Sequence, residues 1–397
     1  MKVSRRSFLK QGTVAAGLMT APWVLRGAGP DAGGHGDPMK YRTLGRTGLR
    51  VSEIGFGGYP VKDPAVVDYA LGKGINYFDT SNCYPRESEK AIGEALKGRR
   101  DKAVIVTKWC PHHRHRPATK ANFIAQLDES LQRLQTDYVD VLLNHQMGPS
   151  DQESRGTNFS RLDNPELWEA WETVKKAGKA RFMGVSGHEG NLMEIMNHVV
   201  AGGKFDLILC RYHFLEYPTE PDLTRKCAEK GVGFVAMKTL AGAKGADLDE
   251  FRVKFVTFKQ AALKWVLSNP HVSNLVVSIA HKSQVDEYVA ASSTALTRRD
   301  AEILAEYRRR FSSEVCRFAS DCEPVCPHRV RIADVLRASM YFHEYREEKH
   351  GITEYAAIPP ANRTDHCLTC PAPCEQVCPH HLPVKRLLLT AREHLMI

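Results

Sequence analysis

Between Tyr41 and about residue 290, short β-branched runs alternate with longer stretches whose apolar residues recur at i, i+3, i+4 and i+7. This alternation constrains the fold more than any other feature. The candidate strands are Ile54-Gly58, Asn76-Asp79, Val104-Lys108, Val139-Leu143, Ala180-Ser186, Leu207-Tyr212, Gly233-Lys238 and Asn274-Ser278. Between them, AVVDYALGKG, ESEKAIGEAL, NFIAQLDESLQRL, PELWEAWETVKKAG and VTFKQAALKWVL read as amphipathic helices. Such alternation builds parallel βα units, and eight of them over about 250 residues predict an α/β fold, a closed (β/α)8 TIM barrel. A doubly wound open sheet is the alternative, but no GxGxxG follows an early strand. Barrel active sites lie at the C-terminal ends of the strands.

Three of those ends carry chemistry. Asp79 closes the second strand in FDTSNCY, which runs on to Tyr84; Lys108 closes the third in VIVTKW; His145 follows the fourth in VLLNHQ. A buried Asp holds an ammonium in place, and an ammonium beside a phenol lowers the phenol's pKa, so the tyrosine can pass a proton to a carbonyl oxygen. A neighbouring imidazole orients that carbonyl or adds a second hydrogen bond. Any one of these residues alone would read as structural; four on three consecutive strands point to a site.

Residues 41 to about 290 resemble an aldo-keto reductase. YRTLGRTGLRVSEIGFGGYP, GINYFDTSNCYPRESEKAIGEAL, VIVTKW, LNHQ, RFMGVSGH and GFVAMKTLAG match that family's landmarks in order. The resemblance implies Asp79, Tyr84, Lys108 and His145 as the catalytic tetrad, with Tyr84 as proton donor and NADP(H) as hydride carrier. It implies Ser186 as a hydrogen-bond partner of the nicotinamide carboxamide, Tyr212 facing the nicotinamide, Lys238 among the cofactor contacts, and His281, Lys282 and Ser283 meeting a 2′-phosphate. The sequence departs from the family where Leu209 stands in place of a carboxamide-binding Gln. SIAHKSQVDEY also lacks the usual Pro-Gly turn, and Tyr288 occupies an expected Asn.

From about Thr297 the pattern changes to basic helical turns and then to cysteines: seven of the chain's eleven lie between Cys316 and Cys378. The spacing Cys367-x2-Cys370-x3-Cys374-x3-Cys378-Pro379 is close to the bacterial ferredoxin run C-x2-C-x2-C-x3-C-P, with one extra residue. Cys316-x5-Cys322-x3-Cys326-Pro327 fits the same frame with Ala319 at the second ligand position. CEPVCPHRV and CEQVCPHHLPV are near copies 52 residues apart. The tail resembles a two-cluster ferredoxin module, small and mainly helical, in which the fourth cysteine of each motif serves the other cluster. That implies Cys326, Cys367, Cys370 and Cys374 on one 4Fe-4S centre. Cys316, Cys322 and Cys378 remain for a 3Fe-4S centre, or for a 4Fe-4S centre completed by a group such as Asp321. A four-cysteine zinc site and disulfides are the competing readings. Cys83, Cys110, Cys210 and Cys227 read as small buried residues.

The start, MKVSRRSFLK, precedes a 14-residue apolar stretch from Gly12 to Leu25, too short for a comfortable span and of signal-peptide proportions. Ser4-Arg5-Arg6-Ser7-Phe8-Leu9-Lys10 resembles a twin-arginine export signal, whose translocase carries folded, cofactor-loaded proteins. Export by that route, to the periplasm or to the outer side of the cytoplasmic membrane, is therefore expected. The N-terminal segment also holds part of the net charge of +9, leaving +6 for the remainder; with no basic stripe interleaved with aromatics, nucleic acid is not expected as a partner.

The organisation expected is a signal and linker over 1–38, a barrel over 39–296 and an iron-sulfur domain over 297–397. The partners expected are a small carbonyl or alcohol substrate, the translocase and a redox protein. The function expected is an exported oxidoreductase; an electron-transfer or binding protein whose barrel has lost efficient hydride transfer is the alternative. The run HHRH at His112 to His115 is a solvated loop or a metal site, and His188 and His213 are candidates for touching substrate. Trp168/Trp171 and Phe255/Phe258 have core spacing.

Overall fold

A computed structural model describes residues 39–111, 118–147, 162–187, 192–215, 220–242, 257–319 and 321–396. The N-terminal segment with its paired arginines, the run at His112 to His115, His188 and Phe255 lie outside the described residues.

A short antiparallel hairpin, β1 (Tyr41–Thr43) and β2 (Arg50–Ser52), leads into the barrel. The eight barrel strands are β3 (Ile54–Gly57), β4 (Tyr77–Asp79), β5 (Val104–Trp109), β6 (Val139–Met147), β7 (Ala180–Gly187), β8 (Leu207–Arg211), β9 (Gly233–Met237) and β10 (Asn274–Ser278). All are parallel and close in the order β10-β3-β4-β5-β6-β7-β8-β9, the (β/α)8 barrel that the alternation predicts. Side chains alternate across each strand. Tyr77, Val106, Val141, Leu143, Leu207, Leu209 and Val235 fill the barrel interior, which Leu44 and Val51 of the hairpin region help to pack. Phe78, Ile105, Leu142, Ile208, Phe234 and Leu275 face outward into the layer beneath the helices. Each such side chain, fully buried, contributes roughly 1.5–3 kcal/mol of apolar transfer.

The change of pattern at Thr297 is the start of the Arg298–Phe311 helix. Thr297 Oγ1 accepts from the Asp300 amide at 3.1 Å while Asp300 Oδ2 accepts from the Thr297 amide at 2.8 Å, a reciprocal cap that satisfies two orphan donors. Its Ile303, Leu304 and Tyr307 belong to the barrel core, with Tyr307 stacked on Phe258 at 4.5 Å. A boundary at residue 297 therefore cuts through the barrel's core, and a second core begins only at Phe318.

That second core is built on the Ile332–His343, Glu348–Ala356 and Val384–Leu395 helices. The near copies in sequence are also copies in structure. Glu323 Oε1 accepts from the Ala333 amide at 3.0 Å, and Glu375 Oε1 accepts from the Lys385 amide at 2.9 Å. Arg329 and His381 take left-handed backbone conformations at φ 51°. Each half thus runs from a Cys-Pro motif through one tight turn into a helix whose first turn is fastened by the motif's own glutamate. No helix among the described residues is long and apolar enough to cross a membrane.

Candidate active site

The C-terminal ends of β4, β5 and β6 bring the four expected catalytic residues to one mouth. Strand parity places Asp79, Lys108 and His145 on the inward face, in phase with Tyr77, Val106 and Leu143. Lys108 Nζ donates to Asp79 Oδ2 at 2.6 Å and to the Thr80 carbonyl at 2.6 Å, and lies 3.4 Å from the Tyr84 hydroxyl. Asp79, Lys108 and His145 are buried, and Tyr84 is partly buried. The ammonium sits 4.6 Å from the Tyr84 ring centre, and the His145 ring stands edge-on to Tyr84 with centroids 6.4 Å apart. Gly58 lets the chain after β3 pass against this group: its amide donates to the Asp79 carbonyl at 2.7 Å, and a Cβ there would lie 2.6 Å from that oxygen.

Burial sets the protonation states. It pulls the Lys108 ammonium below the ordinary lysine range, with Asp79 opposing. The Tyr84 phenol is not lowered as expected: burial, and then the Asp79 charge, hold it well above the usual tyrosine range. The phenol therefore stays protonated, and the ammonium stabilises the phenolate only as a proton leaves.

Ser186 is the last residue but one of β7, inward-facing and fully buried, and its Oγ has no hydrogen-bond partner among the described residues. A buried hydroxyl without a partner suits a ligand amide. Its register partner on β8 is Leu209, so the neighbouring position offers only carbon. His281, Lys282 and Ser283 are exposed at the start of the Lys282–Val289 helix, directly after β10. Gln284 Oε1 accepts the Ala280 and His281 amides there, at 2.7 and 3.0 Å, and the Lys282 ammonium reaches over the Tyr69 ring at 5.4 Å.

Two expected cofactor contacts are placed elsewhere. Tyr212 does not face the barrel mouth: its parity is that of Ile208 and Cys210, so its ring packs on Phe234 and Trp265 in the outer layer and its hydroxyl accepts from Asn269 at 3.0 Å. Lys238, in a left-handed conformation at φ 55°, points its ammonium over the Phe318 ring at 5.3 Å, tying the barrel to the cysteine-rich tail. Tyr288 is buried in the core, and His213 is buried after β8.

Sequence reasoning passed over two features. Cys83 and Cys110, read as packing residues, are joined by a disulfide that links the Tyr84 loop to the end of β5. Their spacing, one residue before Tyr84 and two after Lys108, was the available signal. The second is Arg211, buried on the inward face at the end of β8; Cys-Arg-Tyr gave no sign of which neighbour turns inward until the register was known.

In the tail, Cys326, Cys367, Cys370 and Cys374 line one small pocket together with Val330, Ile332 and Leu388. Cys322 is electrostatically coupled to Cys316, Cys374 and Cys378. Burial and neighbouring thiols push Cys367 up to about 11 and raise Cys374 and Cys322. Amides approach the sulfurs too: Val330 N–H lies 3.4 Å from Cys326 Sγ and Phe318 N–H lies 3.4 Å from Cys316 Sγ. Cys210 and Cys227 are buried in the barrel core.

The closed barrel with a buried ammonium feeding a phenol at its C-terminal mouth defines a carbonyl-handling oxidoreductase. Residues 60–253 match the Aldo/keto reductase family. L-galactose dehydrogenase of Arabidopsis thaliana is 32% identical over 291 residues, spanning 64% of this chain and 88% of its own. The Bacillus subtilis oxidoreductase YrpG is 28% identical over 325 residues, spanning 67% and 94%. Among solved structures, the aldo-keto reductase AKR11C1 from Bacillus halodurans in its holo form superposes with a TM-score of 0.55 at 26% identity, covering 68% of this chain and 96% of that one. The chain belongs to the aldo/keto reductase family and is an oxidoreductase acting on carbonyl or alcohol groups.

Proposed function

We propose that the protein reduces a small carbonyl compound, or oxidises the corresponding alcohol, with NADP(H), using Tyr84 as the proton donor. The observation that carries this reading is the 3.4 Å approach of Lys108 Nζ to the Tyr84 hydroxyl, with the ammonium anchored 2.6 Å from a buried Asp79. A bound nicotinamide supplies the hydride. Tyr84 gives its proton to the carbonyl oxygen, Lys108 stabilises the phenolate that forms, and His145 completes the polar wall that orients the carbonyl. Ser186 Oγ is the group that would hold the carboxamide. The exposed His281, Lys282 and Ser283 stand at a helix start after the last barrel strand, a place suited to phosphate.

The tail is read as an iron-sulfur module. Support comes from the two grouped thiol sets and the duplicated Cys-Pro turn. A tetrahedral zinc site with Zn–S near 2.3 Å puts sulfurs about 3.8 Å apart. Among the described residues, only Cys83, Cys110 and His145 bring three such ligand atoms within 4.8 Å of one another. No three of the described tail thiols approach one another that closely, and an iron-sulfur centre does not require it. The raised pKa values of Cys322, Cys367 and Cys374 mean that binding there must displace protons. The twin-arginine string supports export of the folded, loaded protein, with electrons exchanged with a redox partner.

A second reading keeps the barrel for binding or electron transfer alone, and Leu209 beside Ser186 favours it by leaving a nicotinamide amide one partner short. Anaerobically purified protein separates the two. Saturable NADPH quenching, and carbonyl reduction that Tyr84→Phe abolishes without changing nicotinamide affinity, support the enzyme; absence of both leaves the binding reading. Iron and sulfide assays with EPR test the module, and zinc without iron rejects it.

A further inference from the structure

The turn between the Ile332–His343 and Glu348–Ala356 helices belongs to the cysteine-rich module, yet it lies against the catalytic mouth. Tyr59, in the loop after β3, stands edge-on to Tyr84 with ring centroids 5.4 Å apart and meets His350 of the module at 5.8 Å. His350 packs on Tyr341 at 4.4 Å, and Tyr341 on Tyr345 at 5.6 Å. The backbone holds this turn tightly: the Glu347 amide donates to the Tyr341 carbonyl at 2.9 Å, and the Gly351 amide donates to the Glu347 carbonyl at 2.9 Å.

Glu347 is the polar member of this wall. It lies near Tyr59, whose phenol burial and then the Glu347 carboxylate keep protonated and so able to donate. Its Oε2 is buried and has no hydrogen-bond partner among the described residues. A buried carboxylate oxygen without a donor is costly, and the cost is relieved when a ligand brings one.

Taking Tyr84 as the proton donor, we propose that the cysteine-rich module completes the substrate pocket and that Glu347 is its specificity determinant. Its second oxygen accepts a hydrogen bond from a hydroxyl of the substrate, so hydroxyaldehydes and hydroxyketones are preferred over their deoxy counterparts. Tyr59 fixes the carboxylate, and the ring pair of Tyr59 and His350 joins the module's wall to the barrel's.

The test uses the full-length protein with NADPH and two probes, glyceraldehyde and propionaldehyde. A site built to hydrogen-bond a hydroxyl discriminates strongly against an analogue lacking it, so wild type favours glyceraldehyde by at least about tenfold in kcat/KM. Glu347→Leu brings the two substrates within about threefold, through a raised KM for glyceraldehyde, with NADPH affinity unchanged. Glu347→Gln, which keeps an acceptor, recovers part of the preference, and Tyr59→Phe weakens it from the barrel side without touching the module's own fold. An unchanged substrate ratio in both Glu347→Leu and Tyr59→Phe overturns the inference, as does a wild type that binds NADPH without favouring glyceraldehyde. Protein that binds no NADPH overturns the proposed function and this inference with it, so the two failures are distinct.

Discussion

Replacing Lys108 with methionine tests the centre of the site, because methionine is of similar length, is at ease in a buried position and removes one charge. The ammonium lies 3.4 Å from the Tyr84 hydroxyl and 2.6 Å from Asp79 Oδ2. Opposite unit charges 3.4 Å apart attract by roughly 5 kcal/mol at an effective dielectric near 20. In the transition state the proton is only partly transferred, so the phenolate carries about half a charge and the variant loses about 2–3 kcal/mol, or roughly 30- to 150-fold in kcat. The pH profile gives an independent readout. Reduction needs the charged ammonium, so the rate is full below the folded-state pKa of Lys108 and falls as pH rises through it. Burial lowers that pKa, which places the alkaline limb below the ordinary lysine value of about 10.4. The assay is kcat and kcat/KM against pH for wild type and Lys108→Met, with NADPH affinity measured beside them. The variant should lose both rate and limb. Lys108→Met with kcat within threefold of wild type and the same alkaline limb would refute the reasoning.

Other consequences are measurable on the same protein. Lys108→Met strands a buried carboxylate and should cost roughly 3–5 kcal/mol of stability, whereas the double variant Asp79→Asn/Lys108→Met, with both charges gone, should denature closer to wild type. Leu209→Gln places an amide beside Ser186 and should tighten NADP(H) binding by about fivefold, read by fluorescence titration. Cys110→Ser opens a covalent loop of sequence separation 27 and should cost roughly 3.5 kcal/mol under non-reducing conditions. A thiol reductant should reproduce that loss in wild type but not in the variant. Cys326→Ser should remove about four irons per chain and the EPR signal of one centre while sparing the other, because Cys326 lines the pocket of Cys367, Cys370 and Cys374.

The barrel and the grouping of Asp79, Tyr84, Lys108 and His145 were legible in sequence for a local reason. A parallel strand buried on both faces reads as a β-branched run, and the helix after it has its own period, so eight strands could be located without knowing their partners. The residues that end those strands then fall at one mouth by topology alone, which is why Asp79, Lys108 and His145 could be named together. The duplicated Cys-Pro motifs were equally local, and their matching caps by Glu323 and Glu375 follow from the same repeat.

What the sequence could not decide was anything that depends on parity or on contacts between distant segments. Tyr212 and Arg211 are neighbours in the chain, and only the register of β8 against β7 and β9 sends the arginine inward and the tyrosine to the outer layer. Cys83 and Cys110 look like two isolated small residues until β4 and β5 pair side by side. The placement of Tyr341, Glu347 and His350 over Tyr59 belongs to tertiary structure alone, since the motifs that define the module say nothing about which face of the barrel it covers. Local pattern determined which residues end the strands; long-range packing decided which of them share one mouth.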